Sequence, residues 1–129
     1  MSKTVMNPDP KRIITKFELF DEYWTHKIIA EFNNQYVKLA KLKGKFIWHA
    51  HEHEDELFYI VKGSLMLKFR DRNDVNLTEG EMYIVPAGVD HLPVAKEECW
   101  VMLIEPKSTF HTGSTQTGRS VKTEDQEWI

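Results

Sequence analysis

One hundred and twenty-nine residues make one domain's worth of chain, and a composition of 41% hydrophobic, 29% charged and 12% aromatic residues supplies one core and excludes disorder over most of it. Seventeen Lys and Arg against twenty Asp and Glu leave a formal charge of −3 with no basic run, which argues against a nucleic-acid partner. The apolar runs are too short for a membrane span, Met1 to Pro8 lacks a signal-peptide core, and the lone Cys99 cannot form an internal disulfide, so a reducing cytoplasm is the expected address.

Asn7-Pro8-Asp9-Pro10 offers Asp9 as a helix cap with Pro10 at the first helical position. Ile13, Ile14, Phe17 and Phe20 or Leu19 then recur at helical spacing, predicting a short N-terminal helix laid over a sheet. From Lys27 the texture changes to short apolar stretches between turn residues, which predicts strands. The first two, Ile28 to Phe32 and Tyr36 to Leu42, flank Asn33-Asn34-Gln35, a hairpin turn. Further strands are predicted over Phe46 to His51, Glu56 to Val61, Ser64 to Phe69, Val75 to Thr78, Met82 to Val85, His91 to Ala95 and Cys99 to Ile104. Turns are expected at Lys43-Gly44-Lys45, Lys62-Gly63, Asp71 to Asp74, Glu79-Gly80-Glu81, Pro86-Ala87-Gly88 and Ala95 to Glu98. Eight or nine short strands at this spacing indicate an all-β antiparallel sandwich or barrel. The expectation is a single domain over 1–129, with its core at about 35–106 and a polar tail over 107–129 that ends in the apolar pair Trp128-Ile129. Those two residues predict either a closing strand or a contact with a partner subunit, and the open sheet edges favour a homodimer.

Three of the six histidines fall within Trp48-His49-Ala50-His51-Glu52-His53-Glu54-Asp55-Glu56. On an extended strand His49, His51 and, if the strand persists, His53 project from one face, and Glu56 at the head of the next strand can add a carboxylate oxygen. Two imidazoles and a carboxylate suit a six-coordinate transition ion with open positions, although a polar surface loop rich in histidine has the same pattern. A second stretch, Gly80 to His91, turns through a Pro-X-Gly corner and delivers His91 as a fourth ligand.

Together these stretches resemble the paired motifs of the cupin superfamily. Gly44, His49, His51, Glu56 and Gly63 follow the first motif and Gly80, Pro86, Gly88 and His91 the second. The departures are four residues, not five, between Gly44 and His49, and Ala95 where the second motif often carries Asn. The layout is similar to small one-domain cupins, some labelled mannose-6-phosphate isomerase-like. The resemblance implies a double-stranded β-helix in which His49, His51, Glu56 and His91 converge on one divalent transition metal, zinc, iron, manganese or nickel. About two of six coordination positions would then remain for water or substrate.

Two functional readings follow. In one the protein is a metal-dependent isomerase, lyase or dioxygenase acting on a small oxygen-rich molecule, with Glu56 or a pocket tyrosine such as Tyr59 handling protons. In the other it is a non-catalytic barrel holding a metal or small ligand as sensor, store or structural staple. Sugar phosphate isomerisation is disfavoured, since no Arg or Lys cluster lies in the motif region to hold a phosphate. His53 is expected to be exposed, with a proton-shuttle role as the alternative, and Cys99 to be buried and inert unless its strand aims the sulfur at the metal.

Overall fold

The computed structural model describes residues 9–109 and 126–129. One helix, α1 (Ile13–Phe17), precedes eight strands: β1 (Lys27–Phe32), β2 (Gln35–Lys45), β3 (Glu56–Lys62), β4 (Ser64–Phe69), β5 (Val75–Thr78), β6 (Met82–Val85), β7 (His91–Pro106) and β8 (Glu127–Trp128). Among the described residues no helix is long and apolar enough to cross a membrane.

The long strand β7 joins the two halves of the barrel. Its first part, His91 to Val94, pairs antiparallel with β4, which in turn pairs with β5. Its second part, Trp100 to Ile104, pairs with β3, which carries β6 on its other edge. Along its opposite side β7 pairs with β2, followed by β1 and β8. This is the all-β double-stranded β-helix expected from the motifs. The interior is filled by inward residues of both halves, among them Leu42, Phe58, Ile60, Leu67, Leu77, Val101 and Leu103. Burying each such side chain contributes about 1.5–3 kcal/mol.

Strand β2 is buried on both faces, because α1 and the chain after it cover its outside. Phe17, Phe20, Ile29 and Leu39 form a second cluster there, and the Phe17 ring stacks on Trp100 with centroids 4.8 Å apart. Lys41 is buried at this seam, donating to the Phe20 carbonyl at 2.7 Å with its ammonium 4.9 Å from the centre of the Trp100 ring.

Several expectations need correction. Neither Asp9 nor Pro10 opens the helix: it begins at Ile13 after an extended Arg12, with no side-chain cap bond. Of the pair Leu19 and Phe20, only Phe20 packs. Phe46 to His51 is not a strand. It runs beside β7 through a bond from Phe46 N to Pro93 O and a single bridge between His49 and His91. Pro93 has no N–H to return, so the ladder cannot close between those points. The turn expected at Lys43-Gly44-Lys45 lies inside β2, where Gly44 takes φ +85° at a register shift. Likewise the charged run Lys96-Glu97-Glu98 is an exposed stretch within β7, where the strand passes from one half of the barrel to the other, and not a turn between two strands. The hairpin turn tightens to Asn33-Asn34, both left-handed, as a two-residue turn matched to strand twist requires.

Of the two destinies open to the terminal apolar pair, the closing strand is observed. Glu127 and Trp128 align in parallel with Lys27 and Ile28, and Trp128 meets the Tyr36 ring edge-on at 5.7 Å. Most of the polar tail, with His111, lies outside the described residues.

Candidate metal centre

Four side chains converge inside the barrel: His49, His51, Glu56 and His91, each offering one ligand atom and all four atoms within 4.8 Å of one another. Each is almost fully buried. His49 and His51 come from the extended segment after β2, two residues apart and therefore on one face. Glu56 is the first residue of β3, whose inward positions continue with Phe58 and Ile60. His91 opens β7 and is bonded through its backbone to His49 in both directions, at 2.9 and 3.1 Å. The Pro86-Ala87-Gly88 corner that leads to it is tied down twice, by Gly88 N donating to His51 O at 2.8 Å and by Ala87 N donating to Asp55 at 2.8 Å. Gly88 sits at φ +79°, which explains the glycine.

Ring orientation follows from local bonds. His49 Nδ1–H donates to the Ile47 carbonyl at 2.9 Å and His91 Nδ1–H to the Val89 carbonyl at 3.0 Å, in each case two residues back. Each bond fixes the tautomer that leaves the Nε2 lone pair for a cation. His91 Nε2 is a buried atom with no hydrogen-bond partner, although Glu56 Oε1 lies 3.6 Å away. An orphaned imidazole nitrogen facing a carboxylate and two further imidazoles fits a metal ion well.

The electrostatics are those of a ligand set held ready. Burial, reinforced by His91, drives the His49 imidazole down to about 3, so it is neutral and able to coordinate at ordinary pH. Burial would also lower His51, but the Glu56 carboxylate at 3.2 Å outweighs it and leaves His51 raised. Glu56 is held well below the usual carboxylate range: burial opposes its charge, and His51 and His91 overcome that. Beside it lies a fully buried ion pair, Lys38 Nζ to Glu105 Oε2 at 3.0 Å. Burial and the neighbouring Glu56 charge push Glu105 well above the usual range, with Lys38 opposing.

Glu56 and His49 open onto a small cavity of about 20 Å3, partly open to solvent. His26, just before β1, lines it as well, as do Trp24, Phe46 and Phe58. No motif contains His26, and only its place at the head of an inward-facing strand could have drawn notice. Lys38 and Glu105 belong to no motif either, and among the several charged residues of β2 and β7 nothing in the sequence marks these two as the ones with no exposure at all.

Of the other candidates, Tyr59 lies on the face of β3 opposite Glu56, aligned with Met82 and Met102. His53 is exposed beside Glu52 and stands outside the cluster. Cys99 packs fully buried in the barrel core, its thiol pushed by burial up to about 12, and does not join the cluster.

Comparison with known proteins agrees with this architecture. A solved cupin-2 domain protein from Shewanella frigidimarina superimposes with a TM-score of 0.73 at 42% identity, covering 81% of this chain and 99% of that one. The uncharacterized protein YdbB of Bacillus subtilis is 35% identical over 63 residues, which cover 49% of this chain and 56% of that protein. A 3-hydroxyanthranilate 3,4-dioxygenase of Danio rerio is 38% identical over 61 residues, 45% of this chain and 21% of the enzyme. The matched stretch thus spans just over half of the first curated relative and about a fifth of the second. Residues 35–105 match the family model Cupin_2, the cupin domain, and with the barrel and its buried histidine and glutamate cluster in place, the chain belongs to the cupin family.

Proposed function

We propose that the protein binds one divalent transition metal through His49, His51, Glu56 and His91 and acts as a metal-dependent enzyme on a small oxygen-rich molecule, most simply as a dioxygenase. The observation that carries this reading is the convergence of four buried donor atoms within 4.8 Å at the wall of a cavity. The similarity to dioxygenases of Danio rerio and two Aspergillus species favours oxygen chemistry over isomerisation or elimination.

When bound, such a cation supplies coordination positions for substrate oxygens and either Lewis-acid or oxygen-activating chemistry. The chain's own residues do the rest. His49 and His91, oriented by Ile47 and Val89, present their Nε2 atoms without any rearrangement. Glu56 balances cationic charge with its carboxylate, and Glu105 beside it is placed to lend or take a proton. Trp24, Phe46 and Phe58 give the cavity beside these groups an apolar aromatic wall. Tyr59, on the far face of β3, leaves proton handling to Glu56.

We further propose that the protein works as a homodimer in the cytoplasm, the buried unpaired Cys99 suiting a reducing compartment. Light scattering gives a twofold mass if this is right. For the activity, protein loaded in turn with iron(II), manganese(II), nickel(II) and zinc(II) is to be screened for dioxygen uptake with hydroxylated aromatic molecules. Uptake that depends on the metal and vanishes in folded His49→Ala and His91→Ala supports the reading. Undiminished turnover in those variants contradicts it.

A further inference from the structure

The segment between β2 and β3 carries two of the four candidate ligands without being a strand. It meets its neighbours through Phe46 N donating to Pro93 O, the reciprocal pair between His49 and His91, and Gly88 N donating to His51 O, with the ladder left open at Pro93. A length of chain tied at separated points opens locally unless side chains also hold it. One such hold is Phe46, whose ring stacks on Trp24 with centroids 4.7 Å apart.

A second is made by Arg70, the residue after β4, which belongs to neither motif. Phe69 is aligned with His91 in the pairing of β4 with β7, which brings Arg70 beside Asp90. Its guanidinium carbon stands 4.1 Å from the centre of the Trp48 ring, and its Nε lies 3.3 Å from Asp90 Oδ2. Trp48 immediately precedes His49, and Asp90 immediately precedes His91. One side chain thus joins the neighbours of two candidate ligands that lie far apart in the chain. A planar guanidinium can lie on an indole face while an N–H meets a carboxylate, which suits arginine better than lysine. Arg70 is 58% exposed, so removing it opens no cavity in the core.

We propose that Arg70 is a positioning residue for the metal centre: by bridging Trp48 and Asp90 it holds the His49 segment against the head of β7 and slows escape of the cation. The inference rests on the metal-centre reading and adds the group that keeps two of its ligands together from the protein surface. The His49 and His91 rings stand with centroids 4.2 Å apart, and donor atoms serve a transition metal only when placed to within about 0.2 Å. An exposed ion pair and an exposed cation–π contact are each modest, so their loss alters how often the segment opens and not whether the barrel folds.

The test uses full-length protein loaded with zinc(II), its release timed with excess chromophoric chelator. Amide hydrogen exchange of the metal-stripped protein and urea unfolding are measured in parallel. Arg70→Ala and Trp48→Leu are each expected to release zinc about three- to tenfold faster and to speed exchange at the His49 and His91 amides by a similar factor. The urea midpoint of Arg70→Ala should stay close to that of wild type. The double variant should be no faster than the faster single one, because both remove the same contact. Arg70→Lys keeps the charge and Trp48→Phe keeps an aromatic face, so each should recover part of the loss. Unchanged release from folded Arg70→Ala, additive effects in the double variant, or exchange accelerated equally at β1 and β8 overturns the proposal. Should Trp48→Leu fail to fold, Arg70→Ala beside Arg70→Lys and Trp48→Phe decides it. Wild-type protein that takes up no zinc contradicts the metal-centre reading, whereas exchange still quickened only at the two histidine amides upholds the bridge, so the two failures are separable.

Discussion

Glu56 Oε1 lies 3.2 Å from His51 Nε2, the first residue of one strand against a side chain from the irregular segment before it. Both groups are buried, so a proton between them can hold the cluster together where a cation otherwise would. Glu56→Gln preserves the shape but removes the charge. Its metal affinity is expected to fall at least about a hundredfold, measured by competition with a chromophoric chelator. An unchanged affinity would place the cation elsewhere.

Lys38 and Glu105 form a pair with no exposure at all, adjoining Glu56. Lys38→Met alone leaves the buried Glu105 carboxyl without its partner and should destabilise the protein by about 1–3 kcal/mol in urea unfolding. The double change Lys38→Met with Glu105→Leu should recover most of that loss. A single variant as stable as wild type would mean that the pair is not formed.

Cys99 is buried and its thiol is pushed up to about 12, so both access and thiolate are lacking at neutral pH. Iodoacetamide at pH 8 is expected to leave the native chain unlabelled and to modify it once after unfolding, as read by mass spectrometry.

Lys27 is buried between Glu22 at 3.4 Å and Glu127 at 2.6 Å, and it ties β8 to the barrel. Burial opposes its charge, but the two carboxylates prevail and its pKa is raised. A raised folded value means that the stabilisation is complete below the unfolded pKa of about 10.4 and is lost as pH climbs through the folded one. Thermal melts of wild type and Lys27→Met should therefore differ most at neutral pH and converge in strongly alkaline solution. A constant gap across that range would contradict the ion pairs.

Gly63 and Gly44 share a left-handed backbone but not a neighbourhood. A Cβ on Gly63 would meet the Glu98 carbonyl oxygen at 2.8 Å, whereas at Gly44 nothing lies within 4 Å. Gly44→Ala should lose only about 1 kcal/mol of stability from its backbone, and Gly63→Ala about 1–3 kcal/mol more from the contact within β7.

The strands that could be read from the chain were those whose bounds are set by local chemistry. Ser64 to Phe69, Val75 to Thr78 and Met82 to Val85 are short runs bounded by turn residues, and they form as expected. The errors fall where tertiary pairing overrules the local pattern. Lys96-Glu97-Glu98 looks like a turn because it is charged, yet the strand runs on through it, since β2 and β3 hold the residues on either side. Phe46 to His51 has strand composition but lies against a proline that cannot complete its ladder. The four candidate ligands were legible because holding a cation calls for these residue types at short, regular spacing. His26, Lys38 and Glu105 carry no such spacing, and only the closed barrel brings them to the site.

Metal content per chain tests the central claim most directly, measured by elemental analysis on untagged protein beside folded His91→Ala. The account predicts close to one equivalent of a divalent transition metal in the wild type and nearly none in the variant, because His91 Nε2 is a buried atom of the cluster with no hydrogen-bond partner. Equal metal content in the two proteins, or none in the wild type after incubation with iron, manganese, nickel and zinc, would contradict it.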